Sequence, residues 1–263
     1  MDMKTFLVLL LAFLMAAPSQ AKMVTHPVEY KQDGTVLQGY LAYDDAISGK
    51  RPGVLVVHEW WGLNDYVKKR AEQVAALGYV AFACDLYGKG VVTKDPKEAA
   101  GHAGHLRGQP LMRERAKAGL EVLAKHKFTD PQRLAAMGYC LGGTTVLELA
   151  YSGADVKGVA SFHGGLHLPQ PQDPRPIKAK ILVLHGADDP RIKPEEIAAF
   201  QEAMRQAQAD WQMIYYGGAV HSFTNPGADA FKMKGIGYSA SADQRSWQHL
   251  KDFLQEIFAS PRK

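Results

Sequence analysis

Residues 137–143 of this chain, Met-Gly-Tyr-Cys-Leu-Gly-Gly, combine a sharp turn with a reactive side chain. An apolar run precedes them, and a segment of helical composition follows. Gly138 and Gly142 stand two residues before and two residues after Cys140. A strained turn from strand to helix needs small residues at these places, because the two backbones pass close together there. The pattern therefore predicts a nucleophile elbow that carries a thiol.

Two interpretations of Cys140 are open from this stretch alone. At an elbow the thiol stands at the N-terminus of the following helix, where the partial positive charge of the helix favours a thiolate. The alternative is a buried structural cysteine in a glycine-rich connection between strand and helix. The rest of the sequence has to distinguish them.

Strand and helix patterns alternate on both sides of the elbow. Continuous apolar runs, typical of strands in a parallel sheet, occur at 53–58, 79–84, 134–137, 156–162, 181–184 and 211–216. Helical spacing of apolar residues occurs at 65–77, 110–125, 195–207 and 240–259, and a weaker helical pattern at 91–108. Residues 28–43 have the pattern of an entry hairpin. This order predicts an α/β protein with a doubly wound, mostly parallel sheet and helices on both faces.

The composition indicates an ordinary globular protein. Of the 263 residues, 46% are apolar and 22% are charged, which suffices for one substantial core. No linker or charge block divides the chain, so we expect a single domain over residues 22–263. The net charge is +4, and the basic residues are scattered, which argues against a nucleic-acid partner. The sequence leaves the oligomeric state open.

Residues 1–21 have the organisation of a secretory signal peptide. Lys4 supplies a positive charge, residues 6–17 form an apolar core, and Ser19-Gln20-Ala21 offers small residues for cleavage near Ala21. An uncleaved anchor is the alternative, but a membrane span needs about 20 apolar residues. We therefore expect a periplasmic or secreted protein that has no membrane contact after cleavage.

A thiol nucleophile needs a base, and the base needs an acid that orients it. In enzymes with a nucleophile elbow, these groups follow along the sequence in the order nucleophile, acid, histidine. Asp189 and His221 each come directly after a predicted strand and keep this order after Cys140. Because ligands bind at the carboxyl ends of parallel strands, the three should meet at one edge of the sheet. Asp188 is the alternative acid.

Five motifs complete a pattern that covers residues 28–258. They are Gly-Tyr-Cys-Leu-Gly-Gly at 138–143, His-Glu-Trp-Trp-Gly at 58–62, Asp-Leu-Tyr-Gly-Lys at 85–89, His-Gly-Ala-Asp-Asp-Pro at 185–190 and Gly-Ala-Val-His-Ser-Phe at 218–223. Together they resemble the dienelactone hydrolase family of α/β-hydrolases. The resemblance implies the α/β-hydrolase fold and a triad of Cys140, His221 and Asp189. It also implies hydrolysis of a small-molecule ester or lactone through a thioester, with no metal and no organic cofactor.

The resemblance assigns roles to three more residues. Glu59 matches a glutamate that contacts the resting cysteine and moves away when an anionic substrate binds. A carboxylate beside the sulfur disfavours the thiolate, so activation would follow substrate arrival. A surface glutamate without this role is the alternative. The oxyanion hole is expected from the backbone N–H groups of Trp60 and Leu141.

Two positions depart from the family pattern. Lys89 and Asn225 stand where the family has arginines that hold the substrate carboxylate. Lysine lacks the bidentate fork of arginine, and asparagine is neutral. We therefore expect a neutral or weakly anionic ester rather than anionic dienelactone. We also expect Trp61, Tyr87 and His163 to line the substrate pocket.

Two alternative functions remain at this stage. A thioesterase or acyl-transfer enzyme would use the same triad, because only the acceptor of the acyl group differs. A binding or redox protein on a hydrolase scaffold would cycle Cys84 and Cys140, the two cysteines of the chain, as a disulfide. The paired histidines of the sequence have no fitting acidic or cysteine partner, so we expect no metal site.

Overall fold

The computed structural model describes residues 22–259, so the signal peptide predicted at 1–21 lies outside the described residues. The strands are β1 Met23–Gln32, β2 Thr35–Asp44, β3 Arg51–Val57, β4 Val80–Cys84, β5 Thr129–Tyr139, β6 Gly158–Phe162, β7 Lys180–Gly186 and β8 Trp211–Tyr216. The helices are α1 Asp65–Ala76, α2 Pro96–Leu106, α3 Pro110–Lys125, α4 Leu141–Tyr151, α5 Pro194–Gln206 and α6 Ala240–Phe258.

All eight strands form one sheet in the order β1-β2-β4-β3-β5-β6-β7-β8. The hairpin β1–β2 is antiparallel, and β2 pairs antiparallel with β4. Every other pairing, from β4 through β3 and β5 to β8, is parallel. The predicted hairpin followed by a mostly parallel sheet is therefore confirmed.

The two faces of the sheet carry separate apolar cores. One core receives α1 and α6, through residues such as Val67 and Leu250. The other receives α2 to α5, through residues such as Met112, Leu147 and Phe200. Helix α4 is buried along its whole length, because it packs on β5 and β6 and is also in contact with α3. Helices on both faces are what a doubly wound sheet requires.

The carboxyl ends of β3, β5, β6, β7 and β8 lie side by side along one edge. The loops that leave this edge contain the elbow and the other motifs found in the sequence, so the fold gathers them. Among residues 22–259, no helix combines the length and the apolar character that crossing a membrane would require.

Candidate active site

The elbow between β5 and α4 has the strained backbone that its glycines indicate. Cys140 has φ 53° and ψ −112°, in a region that residues with side chains rarely adopt. A Cβ on Gly138 would overlap the backbone of Gly142, and one on Gly142 would overlap the carbonyl of Val57. Both positions therefore have to be glycine for the turn to close.

A continuous hydrogen-bonded chain joins the three predicted catalytic side chains. His221 Nε2 lies 3.0 Å from Cys140 Sγ, and His221 Nδ1 lies 2.8 Å from Asp189 Oδ2. All three side chains are buried, whereas Asp188 is exposed. The structure thus brings Asp189, not Asp188, to the histidine. From Cys140 through His221 to Asp189, the hydrogen bonds connect the groups as a nucleophile, its base and an orienting acid.

The charges of the two neighbours of His221 favour its protonated form. Burial opposes the imidazolium, but Cys140 and Asp189 outweigh burial and raise the pKa of His221 to about 10. Burial likewise acts to raise the pKa of Asp189, yet its hydrogen bond to His221 and the backbone N–H of Arg191 hold that pKa below its usual value. The arrangement can therefore remove a proton from the thiol and keep it on the imidazole.

Two backbone N–H groups beside the thiol are available for an oxyanion. Within the described part of the chain, neither Trp60 N nor Leu141 N donates a hydrogen bond outside regular secondary structure. Leu141 is the first residue of α4, where an N–H has no partner inside the helix. Both residues line the same cavity as Cys140. The oxyanion hole predicted from these two N–H groups stays a prediction, to which their position beside Cys140 is suited.

The cavity over Cys140 has a volume of about 300 Å³ and a mixed lining. Leu166, Ile192 and Ile236 supply apolar surface, and the exposed side chains of Arg107 and Arg191 supply positive charge. Sequence reasoning missed both arginines. Arg191 follows Asp189 by two residues in the same loop, which is a usable signal, whereas Arg107 at the end of α2 belongs to no motif.

Three predicted pocket residues lie outside this lining. Trp61 is buried and stacks on Phe231, with ring centroids 4.2 Å apart. Lys89 forms an exposed ion pair with Glu29 of β1. Tyr87 donates a hydrogen bond of 3.0 Å to the carbonyl of Trp60 and thereby supports the loop after β3. Each of these side chains contacts a neighbour that the local sequence does not reveal.

Glu59 and Asn225, predicted for thiol control and substrate binding, contact each other. Glu59 Oε2 accepts a bond of 2.7 Å from Asn225 Nδ2, and Oε1 accepts one of 2.9 Å from Ser222 Oγ. Among the described residues, no hydrogen bond joins Glu59 to Cys140. Burial raises the pKa of Glu59, although these two bonds oppose the effect. Glu59 therefore anchors the loop that carries His221, and the amide of Asn225 is used for that anchor.

The fifth predicted pocket residue, His163, lies behind the elbow and not in the cavity wall. Its Nδ1 is 3.1 Å from the backbone N of Cys140. Cys84 and Cys140 are both free. In residues 22–259 no three His, Cys, Asp or Glu side chains come together in a group that could hold a metal ion.

Comparison with known proteins identifies the family of this chain. A sequence model of the dienelactone hydrolase family matches residues 37–258. The solved structure m3DLH is 40% identical, with a TM-score of 0.87, and the match covers 90% of this chain and 99% of that one. A dienelactone hydrolase-like promiscuous phosphotriesterase from metagenomic libraries is 38% identical, with a TM-score of 0.86, over 91% of this chain and 100% of that one.

A Bradyrhizobium protein described as a probable 2-oxo-3-(5-oxofuran-2-ylidene)propanoate lactonase is 26% identical over 246 residues, which are 88% of this chain and 95% of that protein. The family match covers most of the chain and includes the elbow, Asp189 and His221. The chain is accordingly a hydrolase with the α/β-hydrolase fold, and it belongs to the dienelactone hydrolase family.

Proposed function

We propose that the protein hydrolyses small carboxylic esters or lactones through a Cys140-His221-Asp189 triad and a thioester intermediate. The observation that carries this proposal is the hydrogen-bonded chain from Asp189 through His221 to Cys140 Sγ, which ends at a cavity. The Bradyrhizobium relative described as a probable lactonase supports hydrolysis of a cyclic carboxylic ester, and the phosphotriesterase relative supports hydrolysis of esters more generally.

The geometry supports the following reaction. His221 holds the proton of the Cys140 thiol, and the sulfur attacks the ester carbonyl to give a tetrahedral oxyanion. The N–H groups of Trp60 and Leu141 stabilise this oxyanion. When the carbon–oxygen bond to the leaving group breaks, His221 gives its proton to the alkoxide, which leaves a thioester. His221 then takes a proton from water, which attacks the thioester and gives a second tetrahedral oxyanion. Its collapse breaks the carbon–sulfur bond and releases the acid, which leaves the Cys140 sulfur as a thiolate beside the protonated His221.

We propose further that a negative charge on the substrate is not required. Both cavity arginines, Arg107 and Arg191, are exposed, so water screens their attraction for a carboxylate. Lys89, which the sequence suggested as a cation of the pocket, lies outside the cavity lining and is paired with Glu29 at the surface. A neutral ester and its carboxylate-bearing analogue should therefore differ in kcat/KM by less than about tenfold, which is roughly 1.4 kcal/mol.

The test is hydrolysis of p-nitrophenyl acetate by freshly reduced protein during titration with iodoacetamide. We expect activity to fall in proportion to a single alkylation, and peptide mass spectrometry to place it on Cys140. Full activity after stoichiometric alkylation of Cys140 would contradict a thiol mechanism. Absence of hydrolysis by unmodified protein, for this ester and for a panel of lactones, would contradict the proposed reaction itself.

We also propose that the protein acts outside the cytoplasm, on the basis of the signal-like composition of residues 1–21. Expression of the full chain in a Gram-negative host, followed by fractionation and N-terminal sequencing, tests this proposal. A periplasmic product that starts near Lys22 is expected. A cytoplasmic product with an intact N-terminus would contradict it.

A further inference from the structure

A second histidine, His163, lies beside the triad but is not part of it. The residue is 1% exposed and follows β6, with φ 40°. Its Nδ1 is 3.1 Å from the backbone N of Cys140, and its Nε2 is 2.7 Å from Thr224 Oγ1. The rings of His163 and His221 are 5.3 Å apart, edge to face. His163 thus contacts both the elbow and the loop of the catalytic base.

The hydrogen bonds fix the form of the imidazole. The backbone N–H of Cys140 is a donor, so Nδ1 has to accept and the ring proton has to be on Nε2. Nε2 then donates to the hydroxyl of Thr224. Burial, with a smaller contribution from the neighbouring His221, holds the pKa of His163 well below its ordinary value. The ring therefore stays neutral and keeps both bonds while His221 carries its proton.

Thr224 belongs to the same loop as His221, three residues further along the chain. Arg70 Nη2 donates a hydrogen bond of 2.6 Å to the Thr224 carbonyl, and Tyr66 Oη lies 2.7 Å from the Thr224 hydroxyl. On the other side of His163, the Cys140 N–H is shared with the carbonyl of Phe162 at 3.0 Å. His163 is therefore a second side-chain link, besides the contact between His221 and Cys140 itself, between two separately anchored segments, the elbow and the His221 loop.

We propose that His163 is a positioning residue that sets the distance between Cys140 Sγ and His221 Nε2. This inference rests on the proposed function, because that distance matters for a thiol that works with His221. Displacements of about 1 Å at such a contact lower rates by about 100-fold. Loss of the His163–Thr224 bond frees the loop on the side that faces the elbow, while the anchors to Glu59 and Arg70 remain.

The experiment uses His163→Asn, Thr224→Val and the double variant. Asparagine tolerates a positive φ and keeps an acceptor near Nδ1, but it is too short to reach Thr224. Valine has the shape of threonine without the hydroxyl. Each variant thus removes the bond between His163 and Thr224 from a different side, and Thr224→Val also removes the contact with the Tyr66 hydroxyl. We expect each to lower kcat by about 10- to 100-fold with little change in KM, and the double variant to be no slower than the worse single variant.

The second readout is the rate of Cys140 alkylation by iodoacetamide as a function of pH. In both variants the alkylation rate near neutral pH should fall, because a displaced imidazolium stabilises the thiolate less. Thr145→Val is the matched control: it removes another buried hydroxyl, bonded to the carbonyl of Leu141 at 2.8 Å, that does not reach the His221 loop. Its alkylation profile should equal that of the unmodified protein.

Three outcomes separate the possibilities. Additive losses in the double variant, or an unchanged alkylation profile in folded Thr224→Val protein, would overturn the positioning role. Thr224→Val also decides the matter if His163→Asn does not fold. If unmodified protein hydrolyses no ester, the proposed function fails, while the alkylation profiles still support or overturn the link from His163 to His221.

Discussion

The two cysteines of the chain occupy comparable places in the sheet and have opposite chemical character. Cys84 is the last residue of β4, Cys140 follows β5 directly, and β3 runs between those strands. Both thiols are buried, and both are free. Cys84 packs in an apolar cluster against Gly119 of α3, where burial and the neighbouring Asp85 raise its pKa strongly. Cys140 has His221 at 3.0 Å and opens on a cavity.

The difference shows that neither burial nor a strand end determines whether a thiol is reactive. Cys84 ends its strand in regular pairing with β3, so its side chain remains under α3. Cys140 adopts a positive φ, which turns its side chain toward the loops at the sheet edge. In the proposed mechanism the elbow backbone and the imidazole together, and not the cysteine alone, make Cys140 the nucleophile.

The largest expected effect is the difference in activity between a variant without the Cys140 thiol and one without the Cys84 thiol. Cys140→Ala should lower kcat/KM for p-nitrophenyl acetate by at least about 10⁴-fold, because no other group can form the acyl intermediate. Cys84→Ala should stay within about twofold of the unmodified protein, since this thiol contacts no catalytic group. Steady-state kinetics on both variants, with circular dichroism to verify folding, checks this.

The same contrast should hold for chemical labelling, which serves as the control. Iodoacetamide should modify Cys140 in the folded protein and reach Cys84 only after denaturation. Equal labelling of both thiols in folded protein, or an active Cys140→Ala variant, would contradict the distinction between them.

Removal of the orienting acid should have the second largest effect. Asp189→Asn keeps the size of the side chain but removes the charge that holds His221, and the expected loss in kcat is on the order of 10³-fold. Asp188→Asn is the matched control, because this neighbouring carboxylate is exposed and should be dispensable. Equal losses in the two variants would contradict the assignment of Asp189.

The pH dependence of kcat should also reflect the pairing of Cys140 with His221, and we expect this effect to be smaller than the losses on substitution. The pKa of His221 is raised to about 10, so its imidazolium persists through neutral pH and loses its proton near that value. A leaving alkoxide needs this proton, so kcat should fall above about pH 10. In Asp189→Asn the fall should begin at lower pH, because a neutral amide stabilises the imidazolium less. A rate profile that is unchanged by this substitution would exclude His221 as the titrating group.

Much of the fold follows from local pattern, and the exceptions have local causes. The buried strands were predictable because apolar runs such as 53–58 and 181–184 have few other placements. Strand β5 begins at Thr129, five residues before its apolar run, because it pairs there with Arg51 across a register shift at Pro52. The polar residues of that extension carry no strand signal, so the sequence could not reveal it.

In the site, the chain order was informative and side-chain direction was not. Cys140, Asp189 and His221 each follow a parallel strand, so the topology brings them together. Trp61, Lys89 and Asn225 also lie in loops that leave the strand ends, but their side chains contact other residues. Trp61 stacks on Phe231, Lys89 pairs with Glu29, and Asn225 donates a hydrogen bond to Glu59. Which way a loop side chain points depends on partners far away in sequence. The positions of Arg107 in the cavity and of His163 behind the elbow depend on the same tertiary detail.

The smallest expected effect is on stability at Cys84, and it completes the comparison. Cys84→Ala removes one buried sulfur from a packed cluster and should lower the free energy of unfolding by about 1 to 2 kcal/mol, or roughly 2 to 8 °C in Tm. Cys84→Ser keeps the volume but buries a hydroxyl among apolar neighbours, which costs about 1 to 3 kcal/mol if the hydroxyl finds no acceptor. Urea unfolding of both variants measures these differences. A serine variant as stable as the unmodified protein would mean that Cys84 has a polar partner, and the apolar environment that makes it inert would no longer explain the contrast with Cys140.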